Sequence, residues 1–86
     1  MKFRLSSHAK LEMGERDLSN EIIEDVMTNP QQVISSYGGR KIYQSKIAFD
    51  DGKIFLVRAI VKDDINPAVV VTVYRTSKIE KYWRNI

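Results

Sequence analysis

The apolar periodicity of this 86-residue chain changes once, at Asn29-Pro30, and that change divides it into a helical part and a strand part. Before it, Leu5, Ala9 and Met13 recur at four-residue spacing, and Ile22, Ile23, Val26 and Met27 form a second apolar stripe. This spacing predicts helices from about Ser7 to Arg16 and from about Asn20 to Thr28. Ser6 or Ser7 can cap the first by accepting a backbone N–H bond, and Ser19 the second. Glu21 and Glu24 suit the positive end of the second helix dipole. Pro disfavours helical backbone at the preceding residue, so Asn29 closes the helical part.

Beyond Pro30 the pattern is that of strands. Gln32 to Ser36, Arg40 to Phe49, Ile54 to Val61 and Ala68 to Tyr74 are separated by the turn signals Tyr37-Gly38-Gly39 and Asp50-Asp51-Gly52 and by a loop from Lys62 to Pro67. Ala68 to Tyr74 is the most β-branched of the four and is expected to be central. Arg75 to Ile86 reads as a short helix or tail. Two helices followed by a four-stranded antiparallel meander make an α+β layer pair, a single domain over 1–86.

A chain of this length buries roughly 60–70% of the surface its unfolded form exposes. There is no cysteine, so disulfides and thiolate metal sites are unavailable, and an intracellular, cytoplasmic location is expected. The opening Met1-Lys2-Phe3-Arg4-Leu5 is followed by Ser6-Ser7-His8 and not by the apolar run of a signal peptide. The longest valine run, Val69-Val70-Val71, is far too short to cross a bilayer. No cofactor motif and no metal-ligand set is recognisable, since one histidine without cysteine is a poor zinc donor set.

Charge is unevenly placed. Residues 1–37 carry four Lys/Arg against six Asp/Glu, whereas residues 38–86 carry ten against five. The second half therefore suits an anionic partner. Within it, Arg58 interrupts the apolar run from Ile54 to Val61. Period-2 alternation places Phe55, Val57, Ala59 and Val61 on one face, and Leu56, Arg58 and Ile60 on the other. An unpaired buried charge is costly, so Arg58 needs either a salt-bridge partner, a route to water, or a phosphate. By the same alternation Val69, Val71 and Val73 face the helices, leaving Thr72 and Tyr74 beside Arg58. His8, the one histidine, is followed by Glu12 and Arg16 on one helical face. That stripe suits either proton transfer or the solvated side of an amphipathic helix.

The densest signal lies at the C-terminus. Arg75, Lys78, Lys81 and Arg84 recur every third residue, interleaved with Tyr74, Tyr82 and Trp83. Basic groups track a phosphate backbone and aromatic rings stack on unpaired bases. The same pattern also fits a helix that docks Ile79, Tyr82 and Trp83 on the sheet.

The run Ser7 to Ser19 resembles the "S-x-H-A-x-x-R-M-x-x-R-G-I-S" opening of the family called domain of unknown function 4258. Ile22 to Pro30 is similar to its "I-x-x-V-L-x-N-P" segment, and Val70 to Lys78 to its "V-V-T-V-Y-x-T-S-K" close. That resemblance implies grouping with RelE/ParE-like toxins, small metal-independent endoribonucleases. It implies a RelE-like fold, two N-terminal helices on a curved, about four-stranded antiparallel sheet, with RNA in the concave face and an antitoxin protein as a partner. Carried over by position, the implied site is His8, Arg16, Arg58, Thr72 and Tyr74, with Lys78 at its border. Glu12 departs from a position where a basic residue is common, and Asp17 replaces the glycine after Arg16. The expectation is an RNase in which His8 or Tyr74 moves a proton and Arg58 and Arg16 stabilise charge. Arg75, Lys78, Lys81, Tyr82 and Trp83 would hold RNA. The alternative is a non-catalytic module that uses the same basic surface for nucleic acid or protein.

Overall fold

Two serines fix where the helices start. In the computed structural model, which describes residues 2–85, the Ser6 hydroxyl accepts the Ala9 N–H and opens α1 (Ser7–Glu15). Ser19 accepts the Ile22 N–H and opens α2 (Asn20–Thr28), which ends at Asn29 before Pro30. Between them the chain turns through a Schellman motif: the Leu18 N–H reaches the Met13 carbonyl at 2.9 Å, and Leu18 itself is buried. The residue that makes this turn is Asp17, at φ 55. Aspartate occupies a left-handed position that glycine would fill without penalty.

The strands are β1 (Phe3–Leu5), β2 (Gln32–Ser35), β3 (Lys41–Ala48), β4 (Ile54–Lys62) and β5 (Ala68–Thr76). They form one mixed sheet in the order β1-β5-β4-β3-β2. The expected curved, four-stranded antiparallel sheet is therefore incorrect, and the RelE-like description falls with it. The missing element is β1, which pairs parallel to β5 through Phe3–Ala68, Arg4–Val69 and Leu5–Val70. Three residues are too short to show a convincing period, although Phe3 and Leu5 are half-buried and Arg4 is exposed, as alternation requires. Because β1 takes one side of β5, the middle position belongs to β4 and not to β5.

A second correction concerns the face of β5. A bulge opposite Ile60 and Val61 pairs Ile60 with Thr72 but Val61 with Val70. Val71 is the extra residue, so Val70 and Val73 both enter the core beneath the helices, with Ala9, Met13, Ile23, Val26, Met27, Val57 and Ala59. The expected Val69-Val71-Val73 face does not form.

The β2–β3 turn does follow the glycines. Gly38 and Gly39 sit at φ 65 and φ 74, and the Ser36 N–H bonds the Arg40 carbonyl at 2.8 Å to close the loop. After β5, a four-residue helix α3 (Ile79–Tyr82) folds back over the face opposite the core. Gln44 Nε2 donates to the Tyr82 carbonyl at 3.2 Å, and the Arg84 N–H donates to Gln32 Oε1 at 3.1 Å. Leu56, whose face points away from the main core, is fully buried.

The strained turn gives a direct test. Asp17→Gly should stabilise the fold by up to about 1 kcal/mol, net of the entropy glycine adds to the unfolded chain. Thermal unfolding should show a Tm raised by a few degrees. A lowered Tm would mean that the Asp17 side chain contributes something the turn geometry does not reveal.

Candidate functional site

Arg58 lies mid-strand on β4 with its side chain on the outer face, opposite Gln44 on β3 and Tyr74 on β5. It is only 6% exposed. Its Nε donates to Gln44 Oε1 at 2.8 Å and one terminal nitrogen to the Tyr74 hydroxyl at 2.6 Å. The Tyr82 ring lies over it, 4.2 Å from the guanidinium carbon, and meets Tyr74 edge to face at 6.4 Å. Every one of these partners is neutral. Among the described residues no carboxylate lies within ion-pair distance of Arg58. A guanidinium has five N–H groups, and the two bonds above leave three for another acceptor.

Gln44 holds this arrangement in place. It is fully buried, and its amide also donates to Gln32 Oε1 at 2.8 Å and to the Tyr82 carbonyl. One side chain thus connects β2, β4 and the tail. A cavity of about 460 Å³ opens beside Arg58, lined also by Ser35, Ser36, Tyr37, Ile42 and Arg84. Two further cavities continue along the tail and share Trp83 and Asn85, the first with Ile34, Ser35 and Arg84, the second with Lys46.

The remaining expected site residues gather elsewhere, around Glu12. His8 Nε2 stands 3.3 Å from Glu12 Oε1, and an Arg16 terminal nitrogen 3.4 Å from Oε2. Thr72 donates its hydroxyl to Oε1, and the Val73 N–H donates to the same oxygen at 3.1 Å. The carboxylate closes the edge of β5 beyond the point where β1 ends. Within the stripe His8-Glu12-Arg16 only Glu12 leaves water: it is buried, while His8 and Arg16 on either side of it remain exposed. Burial by itself would raise the Glu12 pKa. The Thr72 and Val73 hydrogen bonds and the charges of His8 and Arg16 outweigh it, holding the group below 4.5.

The tail residues do not act as one surface. Arg75 stacks on Phe49 and Phe55 at 4.4 and 4.6 Å, on the side of its strand away from Tyr74. Lys78 and Lys81 are exposed. Trp83 is half-buried, with Lys46 Nζ 4.1 Å from its ring. Tyr43 is no proton donor for this site: burial and the hydrogen bond to Asp63 push its phenol up to about 12. No group of three His, Asp or Glu is placed to hold a metal ion among the described residues, and no helix among them is long and apolar enough to cross a membrane.

Sequence reasoning missed Gln44, Tyr37 and the structural role of Glu12. Gln44 could have been found as the one neutral polar group opposite Arg58 once the β3–β4 register was known. Tyr37 looked like part of a turn, which it is, but 94% exposure leaves its ring free.

Compared with known proteins, residues 5–75 match the family described as "Domain of unknown function (DUF4258)". The matched segment contains His8, Glu12, Arg16, Arg58, Thr72 and Tyr74, while Tyr82 and Trp83 lie beyond it. No curated protein and no solved structure matches.

Glu12 predicts an acid limb. Its folded pKa is depressed, so its stabilisation is complete above the unfolded value and is lost as pH falls through the lower folded value. Wild-type Tm should fall on the acid side of pH 4.5, and Glu12→Gln should lose part of that dependence while having a lower Tm near neutrality. Identical Tm–pH curves for the two proteins would contradict the assignment.

Proposed function

The chain belongs to the DUF4258 family, and from the groups around Arg58 and Glu12 we propose that it is a metal-independent endoribonuclease of toxin type. The observation that carries this reading is the buried Arg58 guanidinium, held only by neutral groups and bordering a cavity with Arg84. A phosphodiester supplies the negative charge that such a site lacks, and a planar fork matches its paired oxygens. The kinship with RelE/ParE-like toxins is proposed on these residues alone, because the mixed five-stranded sheet departs from the fold that kinship implied.

The chemistry is attack of a ribose 2′-oxygen on the adjacent phosphorus. The P–O5′ bond breaks, leaving a 2′,3′-cyclic phosphate and a 5′-hydroxyl. His8 takes the 2′-proton, with Glu12 orienting the imidazole from 3.3 Å. Tyr74, fixed by Arg58, returns a proton to the departing 5′-oxygen. Arg58 and Arg16 stabilise charge on the phosphorane-like transition state. Lys78 and Lys81 extend the phosphate track, and a partner antitoxin protein with an acidic surface would cover it.

One observation favours a second reading, a non-catalytic RNA-binding module. His8 and Arg58 belong to separate hydrogen-bonded groups, and Tyr82 already roofs Arg58. Incubation of purified protein with a defined single-stranded RNA in EDTA separates the two. Cleavage to 2′,3′-cyclic ends, reduced roughly 10²- to 10⁴-fold in His8→Ala, is expected. Salt-dependent binding without cleavage, equal in wild type and His8→Ala, would establish the binding module instead. Neither binding nor cleavage would remove both.

A further inference from the structure

Among the described residues, the exposed ring of Tyr37 is the one large aromatic surface that no packing role accounts for. At 94% exposure it contributes nothing to the core. Its backbone is nevertheless fixed. It opens a tight turn closed by the Ser36–Arg40 and Arg40–Tyr37 backbone bonds, with Gly38 and Gly39 in left-handed conformations that suit glycine. The turn sets Tyr37 at the rim of the cavity that Arg58 and Arg84 also line.

The chemistry of that lining is specific. It presents two guanidinium-bearing residues and, among the described residues, no carboxylate. Ser36 adds a hydroxyl that both donates and accepts, and Ile34 and Ile42 add an apolar patch. The hollow is broadly open to solvent, and its volume, about 460 Å³, falls within the range of small-molecule sites, roughly 300–1,000 Å³. A cation pair, a free aromatic face and a hydroxyl together match one nucleotide: phosphate, base face and base edge.

We infer that this cavity is a nucleotide subsite that takes one unpaired base against Tyr37, with its phosphate on Arg58 and Arg84 and its edge on Ser36. The inference rests on the RNA-directed reading above and names its substrate as single-stranded, because a paired base cannot offer its face to Tyr37. It also assigns Tyr82 a different part from the one its sequence implied. Tyr82 is occupied on Arg58, so it orients the cation, and base stacking falls to Tyr37.

Fluorescence anisotropy with a labelled single-stranded RNA pentamer tests this, alongside a matched oligomer whose central nucleotides are abasic. Tyr37→Ala should weaken binding of the base-bearing oligomer roughly 5- to 100-fold, leave the abasic oligomer unaffected, and be rescued by Tyr37→Trp. Arg84→Ala should weaken both oligomers. Equal affinity of wild type and Tyr37→Ala for the base-bearing oligomer, with the Arg84→Ala loss intact, would overturn the subsite while leaving phosphate recognition standing. A wild-type protein that binds neither oligomer overturns the subsite and the RNA-directed reading together.

Discussion

A buried guanidinium with only neutral partners is the constraint around which the outer face of this sheet is arranged. Moving a charge out of water costs several kcal/mol even after the protein relaxes. Hydrogen bonds to charged groups return about 1.5–3 kcal/mol each, and a desolvated cation–π contact on the order of 2 kcal/mol. Gln44, Tyr74 and Tyr82 supply those terms for Arg58. They satisfy its geometry without neutralising it. The same requirement explains why a glutamine is fully buried on β3 and why the chain turns back after β5: the tail provides the ring and the carbonyl that complete the arrangement.

A second polar group solves a different problem. β1 covers β5 only as far as Val70, and the ladder beyond it would be an open edge. Ser6 continues the coverage, bonding the Val71 carbonyl at 2.7 Å while capping α1. Glu12 finishes it by accepting from Val73 and Thr72. The bulge at Val71 lets Val70 and Val73 both reach the core while Thr72 meets Glu12. Thr72 and Tyr74 stand two residues apart on one strand, so β5 carries the link between the His8–Glu12 group and the Arg58 group.

Much of this was legible in the sequence, for identifiable reasons. The serine caps and Pro30 delimit α2 without error, because capping is local chemistry. Alternation along Ile54 to Val61 identified the core face of β4 and marked Arg58 as anomalous. Gly38-Gly39 placed the hairpin turn. What escaped depended on distant pairing. The three residues of β1 meet β5 across almost the whole chain, and nothing near Phe3 signals that contact. The run Val69 to Val71 is apolar at every position, so it carries no information about register or about a bulge. Glu12 fitted a catalytic face and a solvated one equally, because a charged residue every fourth position suits both. Tyr37 escaped because turn chemistry explained the glycines beside it.

The central claim is that Arg58 is a cation held ready for phosphate, and its own N–H groups report on that most directly. Nitrogen–proton NMR spectra of the arginine side chains can be followed while a short single-stranded RNA is added. Arg58 Nε–H should be sharp and protected in the free protein, owing to its bond to Gln44, and should shift in step with occupancy. An Arg58 signal unmoved at saturation would contradict the account.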